Sequence, residues 1–213
     1  MADMQRLRDR LVRDQIKGRG ISDSLVLAAM SKVRRELFVP AYLQNEAYGD
    51  WPLPIGAGQA ISQPYIVAFM IEALALHGGE KVLEIGAGSG YAAAVLAEIA
   101  GEVFAIERIE ELAKLAKANL AAAGCRNVRV RHADGSEGWR EEAPFDAILV
   151  SAGAPDVPKS LQNQLSENGG LVIPIGNGQT NQELVRLTRI DDGKFQRETL
   201  TQVRFVPLIR HRG

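Results

Sequence analysis

Gly86, Gly88 and Gly90 stand two residues apart in VLEIGAGSGYAAAVLA, where an apolar strand pattern gives way to a helical one. Glycines at such a junction let the chain bend sharply and let a ligand approach the backbone beside the unpaired N–H groups of a helix start. The spacing is G-x-G-x-G, with Tyr91 three residues after Gly88. A dinucleotide fingerprint needs G-x-G-x-x-G, so a nicotinamide cofactor is disfavoured. Glu107 falls seventeen residues past Gly90, at the predicted end of the next strand. There a carboxylate can accept two hydrogen bonds from vicinal ribose hydroxyls. Asp134 and Gly135 follow the third predicted strand. They offer a carboxylate for an adenine amino group and a backbone that passes close to the ring. Taken singly, the glycines could serve only the turn and Glu107 could be a solvated charge. Their shared placement at three successive strand ends points to a nucleoside pocket.

The remaining inventory is sparse. The chain has three histidines, His77, His132 and His211, and one cysteine, Cys125, with neither a Ser-His-Asp order nor metal-ligand spacing. No metal is expected. His132 reads as a strand-end residue near the pocket, and Cys125, just after Gly124, as structural. Ser62 has two readings: a hydroxyl able to orient an acceptor group, or a cap for the helix that Pro64 opens. With 25 Lys and Arg against 26 Asp and Glu, the net charge of −1 gives no general attraction to nucleic acid or an anionic membrane. A lone cysteine forms no internal disulfide, the start MADMQRLRDR lacks the apolar stretch of a secretory signal, and no apolar run approaches the ~18 residues of a spanning helix. These features predict a soluble, cytoplasmic protein.

Strands alternating with helices must position those residues. KVLEIGAG, EVFAIE, NVRVRHAD, FDAILVSAG and GGLVIPIG read as strands, with helices over YAAAVLAEIA and residues 109–123. The alternation predicts an α/β, Rossmann-like, doubly wound and mostly parallel sheet. Residues 183–190 and 195–206 flank Asp191-Asp192-Gly193 and predict a closing antiparallel hairpin. Ahead of the sheet, residues 3–17 form an amphipathic pattern through Leu7, Leu11, Val12 and Ile16, and a second helix is capped by Ser22 or Asp23 and continues toward Phe38 and Pro40. Residues 48–64, YGDWPLPIGAGQAISQP, are too rich in glycine and proline for a helix and read as a long irregular loop, followed by a helix over 65–76. The chain of 213 residues is expected to be one domain over 1–213, with N-terminal helices and a substrate loop at 1–76, a cofactor-binding core at 77–180 and C-terminal strands at 181–213.

The ordered set resembles the class I S-adenosylmethionine-dependent methyltransferases, whose first motif has the form E/D-x-G-x-G-x-G; Glu84, Gly86, Gly88 and Gly90 match it. More narrowly, YGDWPLPIGAGQAISQPYIVAFM, VLEIGAGSGY, HADG and the late VRFVPL are similar to the protein-L-isoaspartate O-methyltransferases. That resemblance covers nearly the whole chain. It implies methyl transfer from S-adenosyl-L-methionine to the free carboxylate of L-isoaspartyl residues in damaged proteins and peptides, followed by repair through a succinimide. It also implies a sheet whose final strands are interchanged relative to the usual methyltransferase order.

For the site, the resemblance implies Ser62 as the catalytic residue and cofactor contacts from Gln59, Ala60, Ile61, Glu84, Gly86, Gly88, Ser89, Gly90, Glu107, Asp134 and Gly135. Ala60 stands where the family usually has Thr or Ser, which leaves only backbone contacts at that position. Ile61, the main chain at Val206 and the cation of Arg204 are the substrate candidates, although Arg204 equally suits a surface charge. The expected assembly is a monomer. Three alternatives stay open: methyl transfer to another small-molecule or protein acceptor, an adenosine-binding module without catalysis, and, last, a nicotinamide oxidoreductase.

Overall fold

The computed structural model describes residues 3–178, 181–191 and 193–209; His211 and Asp192 lie outside the described residues. Helix α1 (Met4–Arg10) starts at Asp3, whose carboxylate accepts from Arg6 N. It continues through a wider π-helical turn, Leu11–Ile16, that buries Leu11, Val12 and Ile16. A 3₁₀ turn, Lys17–Arg19, then closes on left-handed Gly20. The cap of α2 (Ser24–Lys32) is Asp23 and not Ser22, since the Asp23 side chain accepts from Leu25 N and Val26 N at 2.8 and 3.0 Å. This helix stops at Lys32, short of Phe38, because Val33 turns extended. Single 3₁₀ turns cover the remainder, Arg35–Phe38 and Ala41–Glu46.

The supposed irregular loop contains an antiparallel hairpin, β1 (Leu53–Gly56) and β2 (Gln59–Ile61), with Leu53 opposite Ile61 and Gly56 opposite Gln59. Its turn residues Ala57 and Gly58 both have positive φ, 50° and 68°. Two such residues make the tight reversal that suits strand twist. The buried alternation of Leu53 and Ile55 is interrupted in sequence by Pro52, Pro54 and Gly56, which hides a strand of this length. Pro64 opens α3 (Pro64–Ala73), which ends before Leu74 and so falls short of the expected 76.

The predicted strands and helices follow: β3 (Lys81–Ile85), α4 (Tyr91–Ala97), β4 (Glu102–Glu107), α5 (Glu110–Ala122), β5 (Val128–His132), β6 (Phe145–Val150), the short α6 (Lys159–Gln162), β7 (Leu165–Ile175), β8 (Gln182–Asp191) and β9 (Lys194–Val203). They form a seven-stranded sheet in the order β5-β4-β3-β6-β7-β8-β9. The first five are parallel, and β8 is antiparallel to both neighbours. Thus β8 lies between β7 and β9, the interchange of final strands that the resemblance implies.

Alternating residues explain why the sheet needs cover on both faces. Val82, Val103, Ala105 and Leu149 join the core beneath the N-terminal helices, α4 and α5, while Leu83, Phe104, Ile106 and Ile148 join the core shared with Phe145, Leu161 and Leu165. A strand buried on both faces reads as a continuous apolar run, as EVFAIE and FDAILV do. Chain order runs outward from β3 through β4 to β5, then returns to β6 on the other side of β3. A crevice opens at the carboxyl ends of the strands where the order reverses, the place such sheets bind ligands.

Candidate active site

That crevice is a cavity of about 320 Å³, and the turn after β3 forms its floor. Gly86 N and Ala87 N both donate to Ile106 O, at 2.8 and 3.1 Å, which folds the turn over the end of β4. Two of its glycines are needed for different reasons. A Cβ at Gly88 would lie 3.2 Å from Ile55 Cδ1, so the hairpin tip and the turn touch; at Gly90 it would meet Leu120 and the carbonyl of Ala116, so α4 starts hard against α5. Gly90 itself does not line the cavity.

Glu107 closes one end of the floor. Its Oε2 accepts from Gly88 N at 2.9 Å and its Oε1 from Ile109 N at 2.8 Å. Glu84, on the adjacent strand, is only 1% exposed, and its Oε2 has no hydrogen-bond partner. Burial, together with the like charge of Glu107 and against a backbone hydrogen bond from Ala93, raises the Glu84 carboxyl to about 8. A buried acceptor left unpaired is costly, and this one lines the cavity.

The roof is the hairpin and the segment that follows it. Gln59, Ala60, Ile61 and Ser62 line the cavity, as do Gly86, Ser89 and Gly135. Asp50 anchors the base of this roof, accepting from Gln63 Nε2, Tyr65 N and Arg19 Nη1 at 2.8, 2.9 and 2.7 Å. Arg35, fully buried, donates through Nη2 to Trp51 O at 3.3 Å. The N-cap of α3 is Gln63, without a side-chain cap bond. Of the two sequence readings of Ser62, the structure therefore disfavours the cap.

A second, larger groove of about 640 Å³ runs past the outer side of the same roof, lined by Pro52, Gln63, Ile66, Gln202, Arg204 and Phe205 among others. Ala60, Ser62, Ser151 and Val206 line both spaces. Ser62 thus sits at the junction between the cavity and the groove. Arg204 borders the groove alone. Asp134 lines neither; its carboxylate accepts from Ser136 N at 2.8 Å and borders a shallow hollow with Arg131 and Arg140, so of that pair Gly135 alone reaches the cavity.

Sequence reasoning missed Ser151 and Arg108, both in the cavity wall. Ser151 directly follows β6, and its N donates to Ile85 O at 2.8 Å. The strand-end argument used for Glu107 applies to it equally. Among the described residues, no group of three or more His, Cys, Asp or Glu could hold a metal ion, and no helix is long and apolar enough to cross a membrane.

Comparison with known proteins places this geometry. The family model described as protein-L-isoaspartate(D-aspartate) O-methyltransferase matches residues 6–213. A protein-L-isoaspartate O-methyltransferase 1 of Rhodopseudomonas palustris is 61% identical over 206 residues, covering 97% of this chain and 84% of that protein. A solved protein-L-isoaspartate O-methyltransferase superposes with a TM-score of 0.85 at 29% identity, covering 94% of this chain, which spans 65% of that one. A Plasmodium falciparum structure described as a beta-aspartate methyltransferase in complex with S-adenosyl-L-homocysteine gives a TM-score of 0.83 at 28% identity, covering 98% of this chain and 99% of that one.

Proposed function

Because the chain belongs to the protein-L-isoaspartate(D-aspartate) O-methyltransferase family, and so is an S-adenosylmethionine-dependent enzyme that methylates the free carboxylate of L-isoaspartyl residues in proteins, we propose how its residues divide the work. The cavity holds the cofactor, the groove holds the substrate chain, and Ser62 orients the acceptor carboxylate between them. The observation that carries this reading is that Ser62, Ala60, Ser151 and Val206 border both spaces.

The residues present suit the cofactor. The unpaired Oε2 of Glu84 offers a buried acceptor to its cationic amino-acid end, Glu107 lies where ribose hydroxyls can reach it, and the backbone at Gly86, Gly88, Ser89 and Gly135 admits close approach. When bound, S-adenosylmethionine supplies a methyl group on a sulfonium that leaves with the bonding pair, so the acceptor oxygen gains the methyl and no proton moves. The acceptor carboxylate has a reference pKa of ~3.3–3.9 and is ionised at pH 7, so the protein needs no general base. Its tasks are alignment and exclusion of water. Ile55 and Ile61 supply apolar cover from the roof, and the hydroxyl of Ser62 donates to the carboxylate it orients. The methyl ester can expel methanol where a carboxylate has no comparable leaving group, which favours succinimide closure by the neighbouring amide nitrogen.

The same reading takes the chain as one domain acting as a monomer in the cytoplasm on damaged proteins and peptides, without nucleic-acid or membrane partners. A single half-buried thiol, Cys125, suits a reducing compartment, and the near-neutral charge suits an enzyme that must accept varied protein surfaces. The test is incubation with methyl-labelled S-adenosylmethionine and two peptides that differ only in one normal or isoaspartyl linkage. Base-labile methanol released from the isoaspartyl peptide alone is expected; equal release from both would sink the assignment of the acceptor.

A further inference from the structure

Gln182, at the start of β8, is fully buried and touches neither the cavity nor the groove. Its amide is nonetheless spent almost entirely on one residue of the groove wall. Oε1 accepts from Phe205 N at 2.6 Å, and Nε2 donates to Phe205 O at 3.1 Å and to Gly178 O at 2.8 Å. A side-chain amide that satisfies both the N–H and the C=O of one residue acts as a short piece of neighbouring strand. It fixes which edge of the paired residue faces it.

With both groups of Phe205 held by Gln182, the backbone of Arg204 and the N–H of Val206 are the main-chain groups of this segment left for a partner on the groove. Neither the backbone of Arg204 nor the N–H of Val206 makes a hydrogen bond among the described residues, and both residues border the groove. The other end of the segment is held from below, where Gly153 N donates to Val206 O at 2.8 Å and Leu208 N donates to Gly153 O at 2.7 Å. Gly153 leaves room for the amide: a Cβ there would lie 2.2 Å from Gln182 Nε2.

We infer that Gln182 is a positioning residue for the protein substrate, a buried latch that pairs with Phe205 and so holds the Arg204–Val206 backbone as a docking edge for the main chain of the isoaspartyl peptide. This rests on the reading of the groove as the substrate site. Main-chain pairing at such an edge recognises extended peptide irrespective of side chains, which fits a substrate defined by its backbone linkage. The latch acts chiefly on peptide affinity, because Gln182 itself lies outside the cofactor cavity.

The experiment compares Gln182→Met, which keeps length but loses all three bonds, Gln182→Glu, which keeps only the acceptor for Phe205 N, and Val206→Pro, which removes the presented N–H. KM for an isoaspartyl peptide, kcat and the S-adenosylhomocysteine dissociation constant are measured for each. The expected result is a rise in peptide KM of about tenfold or more for Gln182→Met and Val206→Pro, with a smaller rise for Gln182→Glu. In the two Gln182 variants, whose residue lines neither space, kcat and cofactor affinity stay within about threefold. A raised KM in Val206→Pro with none in either Gln182 variant overturns the latch and leaves the docking edge standing. Unchanged KM in every variant overturns the docking edge itself. A parallel loss of kcat, cofactor affinity and peptide affinity in both Gln182 variants marks a merely structural residue and also overturns the inference.

Discussion

Glu84 and Glu107 are carboxyl groups on adjacent parallel strands, yet Glu107 has both oxygens hydrogen-bonded to backbone while Glu84 has Oε2 unpaired. Burial first, and then the charge of Glu107, raises the Glu84 carboxyl to about 8, so before the cofactor binds Glu84 is largely protonated at pH 7. A cation placed beside it favours the ionised form. Binding of S-adenosylmethionine is therefore expected to release a proton below pH 8, with affinity rising by up to about tenfold per pH unit and levelling above pH 8. Calorimetry in buffers of different ionisation enthalpy measures the released proton. Glu84→Gln should bind more weakly above pH 8 and lose this contribution, and an unchanged proton count in that variant would place the titration elsewhere.

The same shift has a stability consequence of definite sign. A carboxyl whose folded pKa lies above its unfolded value of ~4.3 contributes stability that is fully present below that value and is lost as pH rises through the folded pKa. Unliganded protein should therefore lose stability between about pH 5 and pH 8 relative to Glu84→Gln. Urea unfolding of the two proteins across that range reads the difference directly; parallel stability curves would contradict a raised Glu84.

Ser62→Ala tests the junction. The hydroxyl is neither the cap of α3 nor a lining of one space alone, since it borders both cavity and groove. Removing an orienting donor next to the reacting carboxylate is expected to lower kcat by about ten- to a hundredfold, because misalignment of reacting groups is costly. Cofactor affinity should stay within about threefold, since the rest of the cavity is untouched. A variant with full kcat would remove Ser62 from the chemistry.

Much of this site was legible because its signals are local. A double-sided apolar strand, repeated at β3, β4 and β6, announces a parallel sheet and locates its ligand edge, so Gly86, Gly88 and Glu107 could be placed together from spacing, and Glu84 from the motif resemblance. The hairpin at β1 and β2 was not legible. Its strands span four and three residues, and Pro54 and Gly56 occupy positions that would otherwise show the alternation. Gln182 was equally hidden, because a glutamine beside a strand of alternating residues reads as exposed, whereas Phe205, Gly153 and Gly176 pack around it. Asp134 lies outside the cavity lining. Its strand end is where expected, but the carboxylate is drawn into the local turn by Ser136 N.

Gly90→Ala should separate turn chemistry from ligand chemistry. Gly90 has φ of 90° and lines no part of the cavity, while an added Cβ would stand 3.1 Å from Leu120 Cγ and 3.3 Å from Ala116 O. Backbone strain in a non-glycine residue at positive φ costs about 1–3 kcal/mol, and the crowding against α5 adds to it. The variant is expected to lose about that much unfolding free energy, read as a lower urea midpoint. At temperatures where it remains folded, peptide KM should be close to wild type, and a large selective rise in peptide KM would contradict a purely structural Gly90.

The hairpin provides the last prediction, because it forms part of the cavity wall with two strands of only four and three residues. Asp50 fixes the stem through Gln63 and Tyr65, whereas the tip meets the rest of the protein where Ile55 lies over Gly88. Two short strands alone are marginal in water, so the tip should open more readily than the seven-stranded sheet beneath it. S-adenosylhomocysteine, filling the cavity between tip and floor, is expected to slow amide hydrogen exchange across β1 and β2 by tenfold or more while leaving β8 and β9 unchanged. Ile55→Ala, which removes the contact over Gly88, should raise exchange of the unliganded hairpin and weaken cofactor affinity by about three- to tenfold. Equal exchange of the hairpin with and without ligand would show that the roof is already rigid, and closure over the cofactor would then have no part in excluding water.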